Sequence, residues 1–166
     1  MKVEERAQNL GGLVLNFHSL EFLLRAFMGG LPGAIPSGMP YGISVYTAKV
    51  GTVLPLDDFT NYATLGQLII KPNKETSKLS LGPPIDESLV ALRDAIAHGR
   101  VATANAGEPM RLIKSDRPTQ KGTVVVVVNE LMDELWFKTS RRRVIDAMNI
   151  VYSALNKLPE PKRPSV

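Results

Sequence analysis

The side chains best suited to chemistry stand together in the segment Leu92-Arg93-Asp94-Ala95-Ile96-Ala97-His98-Gly99-Arg100. Four residues separate Arg93 from His98, and a carboxylate, Asp94, follows the arginine directly. An arginine stays charged and can donate two parallel hydrogen bonds to phosphate oxygens. A histidine can give or take a proton near neutral pH. These residue types suit phosphate chemistry, of which metal-free RNA cleavage is one case. There the 2′-OH attacks the neighbouring phosphate, so its proton must be removed, the leaving 5′-oxygen protonated and the phosphate charge neutralised. Each general acid–base transfer typically contributes about 10²–10⁴-fold. In the plainer structural reading, Arg93 pairs with Asp86, Asp94 or Glu21, and His98 closes a helix by bonding its last carbonyls.

Composition removes most other chemistries. The 166 residues include no cysteine, which excludes disulfides, thiolate nucleophiles and cysteine-based zinc or iron–sulfur sites. The only histidines are His18 and His98, so a histidine-rich metal centre is not expected. The chain has no phosphate-cradling G-x-x-x-x-G-K-[ST] loop, no dinucleotide fingerprint in strand–helix context and no G-x-S-x-G elbow. Asp57-Asp58 has no metal-ligand companions at a recognisable spacing. We therefore expect neither metal nor cofactor.

The motif needs elements to hold it. Val3, Ala7, Leu10, Val14, Phe17, Glu21, Leu24 and Met28 repeat at alternating spacings of four and three. That is one seam of a long helix over 2–28. Glu21 is the charged position on this seam, and a carboxylate there wants a partner. Gly11 and Gly12 weaken the helix but allow close packing or a bend. The Gly/Pro-rich stretch 29–42 reads as a loop and 43–54 as extended chain or loop. Thr64 caps a short helix, LGQLIIK, that Pro72 is expected to stop, with a polar connector over 73–83. Pro84, Asp86 and Glu87 fit the start of a helix over 85–98 that Gly99 ends. His98 then lies in its last turn, where a helix is open to a ligand and presents the negative end of its dipole.

Beyond the motif the period changes. RLIKS (111–115) and GTVVVVV (122–128) flank a polar turn and predict a β-hairpin whose valine run is a buried strand. On an exposed edge the same run would be an aggregation hazard. Phe137, Arg141, Val144, Met148, Val151, Leu155 and Leu158 then restore the four/three spacing of a second long helix over 131–157. Arg141 is the charged position on that seam and a candidate partner for Glu21. Arg141, Arg142 and Arg143 spread by about 100° each around a helix, so they do not form one patch. Trp136, Phe137 and Tyr152 read as core or dimer interface rather than a base-stacking platform, and His18 as a surface residue. The expected fold is mainly α: one domain over 1–158, an antiparallel bundle of two long helices, one medium and one short. A β-hairpin is inserted near 111–128, and 159–166 forms a disordered, proline-rich tail.

RDAIAHGR, at the end of an amphipathic helix between two long helices, resembles the signature of the HEPN superfamily. That motif is an arginine, commonly followed by a polar residue, with a histidine after four to six intervening positions. The resemblance carries over to Arg93 and His98, and to Asp94 at the polar position, where the family most often has asparagine. It implies an antiparallel helical bundle and a metal-independent endoribonuclease, often a toxin or defence effector, with an active site formed across a homodimer. A two-fold axis would bring two copies of Arg93 and His98 into one cleft, supplying two imidazoles for two proton transfers. Other members of the superfamily are non-catalytic binding or scaffold modules. On that alternative the partner is a nucleotide, an RNA or a protein such as a cognate antitoxin.

Charge permits such partners without demanding them. The net charge is +4, but residues 1–110 are net −1 and residues 111–166 net +5. A basic C-terminal third suits a polyanion, and equally a solvated face. Charged residues follow Met1 at once, and no apolar run approaches the roughly 20 residues of a membrane helix. The expectation is a cytoplasmic protein with no membrane partner.

Overall fold

The computed structural model describes residues 2–34, 48–54, 56–103, 105 and 108–158. Among them the protein is mainly α, with helices α1 (Val3–Gly29), α2 (Leu65–Lys78), α3 (Leu89–His98) and α4 (Glu134–Leu155). Strands β1 (Arg100–Ala102), β2 (Met110–Ser115) and β3 (Val126–Met132) form one antiparallel sheet in the order β1-β2-β3. No helix among the described residues is long and apolar enough to cross a membrane. The chain divides into two compact units, residues 1–18 with 88–146 and residues 19–87 with 147–166.

The first unit holds the sheet and α3. Ala95 of α3, Leu112 of β2, Met132 of β3 and Phe137 of α4 form its buried cluster, with Leu10, Ile96, Met110, Val128 and Trp136 packed around them. Burying a side chain such as Leu112 contributes about 1.5–3 kcal/mol. Asp133 starts α4, its Oδ1 accepting from the Trp136 N–H at 2.7 Å, as an N-cap should. Arg141 reaches across to α1 and donates to the carbonyls of Gln8 and Asn9 at 3.3 and 3.1 Å. Gly12 makes room for it: a Cβ there would stand 2.8 Å from Arg141 Nη2.

In the second unit Leu20, Leu24, Phe27, Leu68, Ile69, Val151 and Ala154 are buried. Thr64 caps α2 in a reciprocal box with Gln67. Arg25 donates to the carbonyls of Asn61 and Ala63 at 2.9 and 3.2 Å and so ties the 58–63 loop to α1.

Several boundaries depart from the sequence reading. Pro72 does not stop α2 but sits inside it, almost wholly buried, so packing offsets the lost backbone hydrogen bond. Helix α3 starts at Leu89 rather than 85. The Asn73 side chain accepts from Ile85 N–H at 2.7 Å and donates to Ile85 O at 3.0 Å, which fixes this residue's backbone outside a helix. The hairpin is part of a three-stranded sheet, and β3 runs on to Met132, displacing the start of α4 to Glu134. The valine run is not buried: Val124 to Val127 are each at least half exposed. β3 is an edge strand, which covers these side chains on one flank only. Residues 48–54 form a turn and no strand. The predicted tail, 159–166, and residues 35–47 lie outside the described residues.

Candidate functional site at the end of helix α3

One residue, Gly99, joins α3 to β1, and it fixes where the helix end lies. Its N–H donates to Ala95 O at 2.7 Å. A Cβ on Gly99 would stand 2.3 Å from Ala95 O, 2.9 Å from Leu112 Cδ1 and 3.1 Å from Ile113 O. Only glycine lets the chain pass this close to β2. Arg100 then pairs with Ile113, Val101 with Leu112 and Ala102 with Arg111, so the last turn of α3 is locked to the middle strand.

That locking creates a polar cluster. Asp94 and His98 are four residues apart, hence on one helix face, and His98 Nε2 lies 3.5 Å from Asp94 Oδ1. Lys114 of β2 donates to the other carboxylate oxygen, Oδ2. Strand alternation explains Lys114: Met110, Leu112 and Lys114 share the face that packs toward α3. The Lys114 ammonium holds the Asp94 carboxyl below its usual range, chiefly through that hydrogen bond. Partial burial opposes the shift, while the charges of Lys114, His98 and Arg93 add to it. The His98 side chain is 66% exposed, against 40% for Asp94 and 22% for Lys114. The arrangement therefore presents an imidazole to solvent with a carboxylate behind it and a lysine behind the carboxylate. A carboxylate so placed can orient an imidazole.

The sequence-predicted residues do not all gather here. Arg93 and His98 are five residues apart, about 140° around a helix axis, so α3 does not place them on one face. Arg93 is half-buried and engaged within the protein, yet its charge still acts on Asp94. Arg141 is committed to the α1 carbonyls and is not part of the cluster. Glu21 belongs to the second unit. Arg142 pairs with Asp146 at 2.9 Å and Arg143 donates to Ser88 Oγ, so the three consecutive arginines serve three places. His18 is exposed on α1. Lys114 went unread in the sequence; strand alternation puts it on the face of Leu112, but only the packing of β2 under α3 brings it to Asp94.

A pocket of about 580 Å³ adjoins α3 on its apolar side, floored by Leu92, Ala95, Leu112 and Trp136 and edged by Arg143 and Glu130. The Trp136 indole donates to Glu130 and its ring meets Phe137 edge-on at 5.1 Å. Among the described residues no group of three or more histidines or carboxylates could hold a metal ion. No protein-family model, curated protein or solved structure matches the chain.

Proposed function

We propose that the end of α3 binds the phosphodiester backbone of single-stranded RNA and cleaves it without a metal ion. The observation that carries this reading is the solvent-facing His98 imidazole set against the Asp94 carboxylate. His98 takes the 2′-OH proton, with Asp94 orienting the imidazole. The imidazolium then returns that proton to the leaving 5′-oxygen, so one imidazole can serve both transfers in turn. Arg93 and Lys114, whose charges both act on Asp94, favour the phosphate through their positive charge rather than by contact. This is the HEPN type of activity, with a toxin or defence role and an antitoxin-like protein as regulator. On this reading the four helices adopt the antiparallel bundle of that superfamily, and the three-stranded sheet is an addition to it.

The test is cleavage of single-stranded RNA in EDTA by the wild type and His98→Ala in parallel. The wild type is expected to leave 2′,3′-cyclic phosphate ends. His98→Ala should lose about 10²–10⁴-fold in rate with an unchanged circular dichroism spectrum and melting temperature. Cleavage that persists in this variant would remove His98 from the mechanism. The ion pair between Lys114 and Asp94 favours a second reading, a non-catalytic phosphate-binding module. In that case RNA binds without being cut, and Arg93→Ala weakens binding.

A further inference from the structure

The outer side of β3 is open. β3 pairs with β2 on one side only, and no other described strand runs beside it. Val124, Val125, Val126 and Val127 are 53%, 60%, 56% and 50% exposed. Successive side chains of a strand point to opposite faces, so four exposed in a row mean that both faces of this segment are open. The hairpin reaches past the regular ladder, with Asp116 N–H donating to Val125 O at 2.8 Å and Thr119 N–H to Thr123 O at 2.7 Å. This places the valines on a supported arm rather than a loose loop.

Edges of this kind are ordinarily guarded by a lysine, a proline or an inward charge. Residues 122–129, Gly-Thr-Val-Val-Val-Val-Val-Asn, contain none of these. A bulge leaves Val127 as an extra residue between the Lys114–Val128 and Ser115–Val126 pairs. A bulge is itself a device that blunts an edge; this one twists the strand locally but puts no charge on it.

Charge placement indicates the occupant. Asp116, Arg117 and Lys121 precede the valines, leaving that end net +1, and Glu130, Asp133 and Glu134 follow them, making the other end net −3. A parallel neighbour of the same sequence would set base against base and acid against acid. An antiparallel copy sets the basic end of one strand along the acidic end of the other. The valine run also reads the same in both directions. Centred on Val126, it matches Val124 with Val128 and Val125 with Val127, and brings Lys121 beside Leu131, next to Glu130. Antiparallel pairing of a strand with its own copy is two-fold symmetric and closed.

We propose that β3 pairs antiparallel with β3 of a second copy about a two-fold axis at Val126, joining two three-stranded sheets into one of six strands. Adjacent strands lie about 4.8 Å apart, so the two β2 strands stand about 14 Å apart, three spacings across the joint. The clusters built on Lys114 stay separate, one in each chain. The proposal is independent of the RNA reading, and either can fail without the other.

The experiment uses the full chain and two variants, Val126→Lys and Val126→Asp, each checked for an unchanged circular dichroism spectrum. Light scattering should show the wild type as a dimer. Each variant alone places like charges face to face on the axis and should raise the dissociation constant at least tenfold. An equimolar mixture should restore dimers that native mass spectrometry identifies as the lysine chain paired with the aspartate chain. Amide exchange at 124–128 should slow as wild-type concentration rises. A wild-type monomer at high concentration would overturn the proposal, and would leave the edge to a strand from a different protein. So would variants that stay dimeric, or a mixture that stays monomeric.

Discussion

β2 and β3 share one ladder, from Met110 with Met132 to Ser115 with Val126, yet they do opposite work. β2 is the middle strand, and each side chain on its inner face has an assigned neighbour. Leu112 is fully buried against α3, and Lys114 is tied to Asp94. β3 is the outer strand, and its first half presents valines to solvent on both faces. Residue type alone would have ranked them the other way, the valines inside and the lysine outside. What packs on each strand decides instead: the end of α3 lies over β2, so Lys114 meets Asp94, while no described element covers the first half of the edge strand β3, although its far end, Met132, is buried in the cluster.

The largest test of this contrast is a matched pair of truncations. Leu112→Ala empties a fully buried position at the centre of the cluster and is expected to cost about 2–5 kcal/mol. Val125→Ala, in a segment that is 60% exposed, is expected to cost under about 0.5 kcal/mol within one chain. Urea denaturation at low protein concentration, where the chain is monomeric, measures both. Equal losses would mean that β3 is covered within the chain and would abolish the contrast.

Gly99→Ala comes next. The added Cβ would meet the backbone carbonyl of Ala95 at 2.3 Å and that of Ile113 at 3.1 Å, and neither is the yielding tip of a side chain. The end of α3 must lift from β2, at a cost of about 2–3 kcal/mol. A thermal melt reads the loss. Because the same movement draws Asp94 away from Lys114, the variant should also lose RNA cleavage more than its stability loss explains. A melt within a degree of wild type would show that β2 does not fix the helix end.

Why some of this was legible and some not follows from the range of the interactions. The four/three spacing of α1 and α4 is local and strong, and both helices stand near their expected limits. The capping role of Thr64 is equally local. The later start of α3 depends on Asn73, twelve residues before Ile85, and the passage of α2 through Pro72 depends on its burial. The site divides in the same way. His98 and Asp94 are singled out by the motif, Asp94 for following Arg93, and their spacing of four is what the helix turns into a shared face. The pairing of Arg93 with His98 was a matter of motif, and the helix sets them about 140° apart. Lys114 required knowing that β2 crosses beneath α3, a contact between residues 20 apart. Arg141 was legible as an irregular position on its seam, but its acceptors are main-chain oxygens of α1, which no side-chain pattern reveals.

The smallest effect is also the most specific to the cluster. The Asp94 carboxyl titrates below its usual range in the folded protein, first because Lys114 donates to it. Its contribution to stability is therefore complete above the unfolded value, about pH 3.9, and is lost as pH falls through the lower folded value. Since the Asp94 side chain is 40% exposed, solvent screening limits that contribution to about 0.5 kcal/mol or less. Asp94→Asn should thus lie slightly below wild type in stability at neutral pH and converge with it in acid. The double variant with Lys114→Met should recover part of the difference, because the two residues act as one pair. If instead Asp94→Asn leaves stability nearly unchanged but alters the pH dependence of RNA cleavage, the carboxylate serves His98 more than the fold. If neither changes, Lys114 and Asp94 form a surface ion pair without further consequence, and β2 anchors α3 through Leu112 alone.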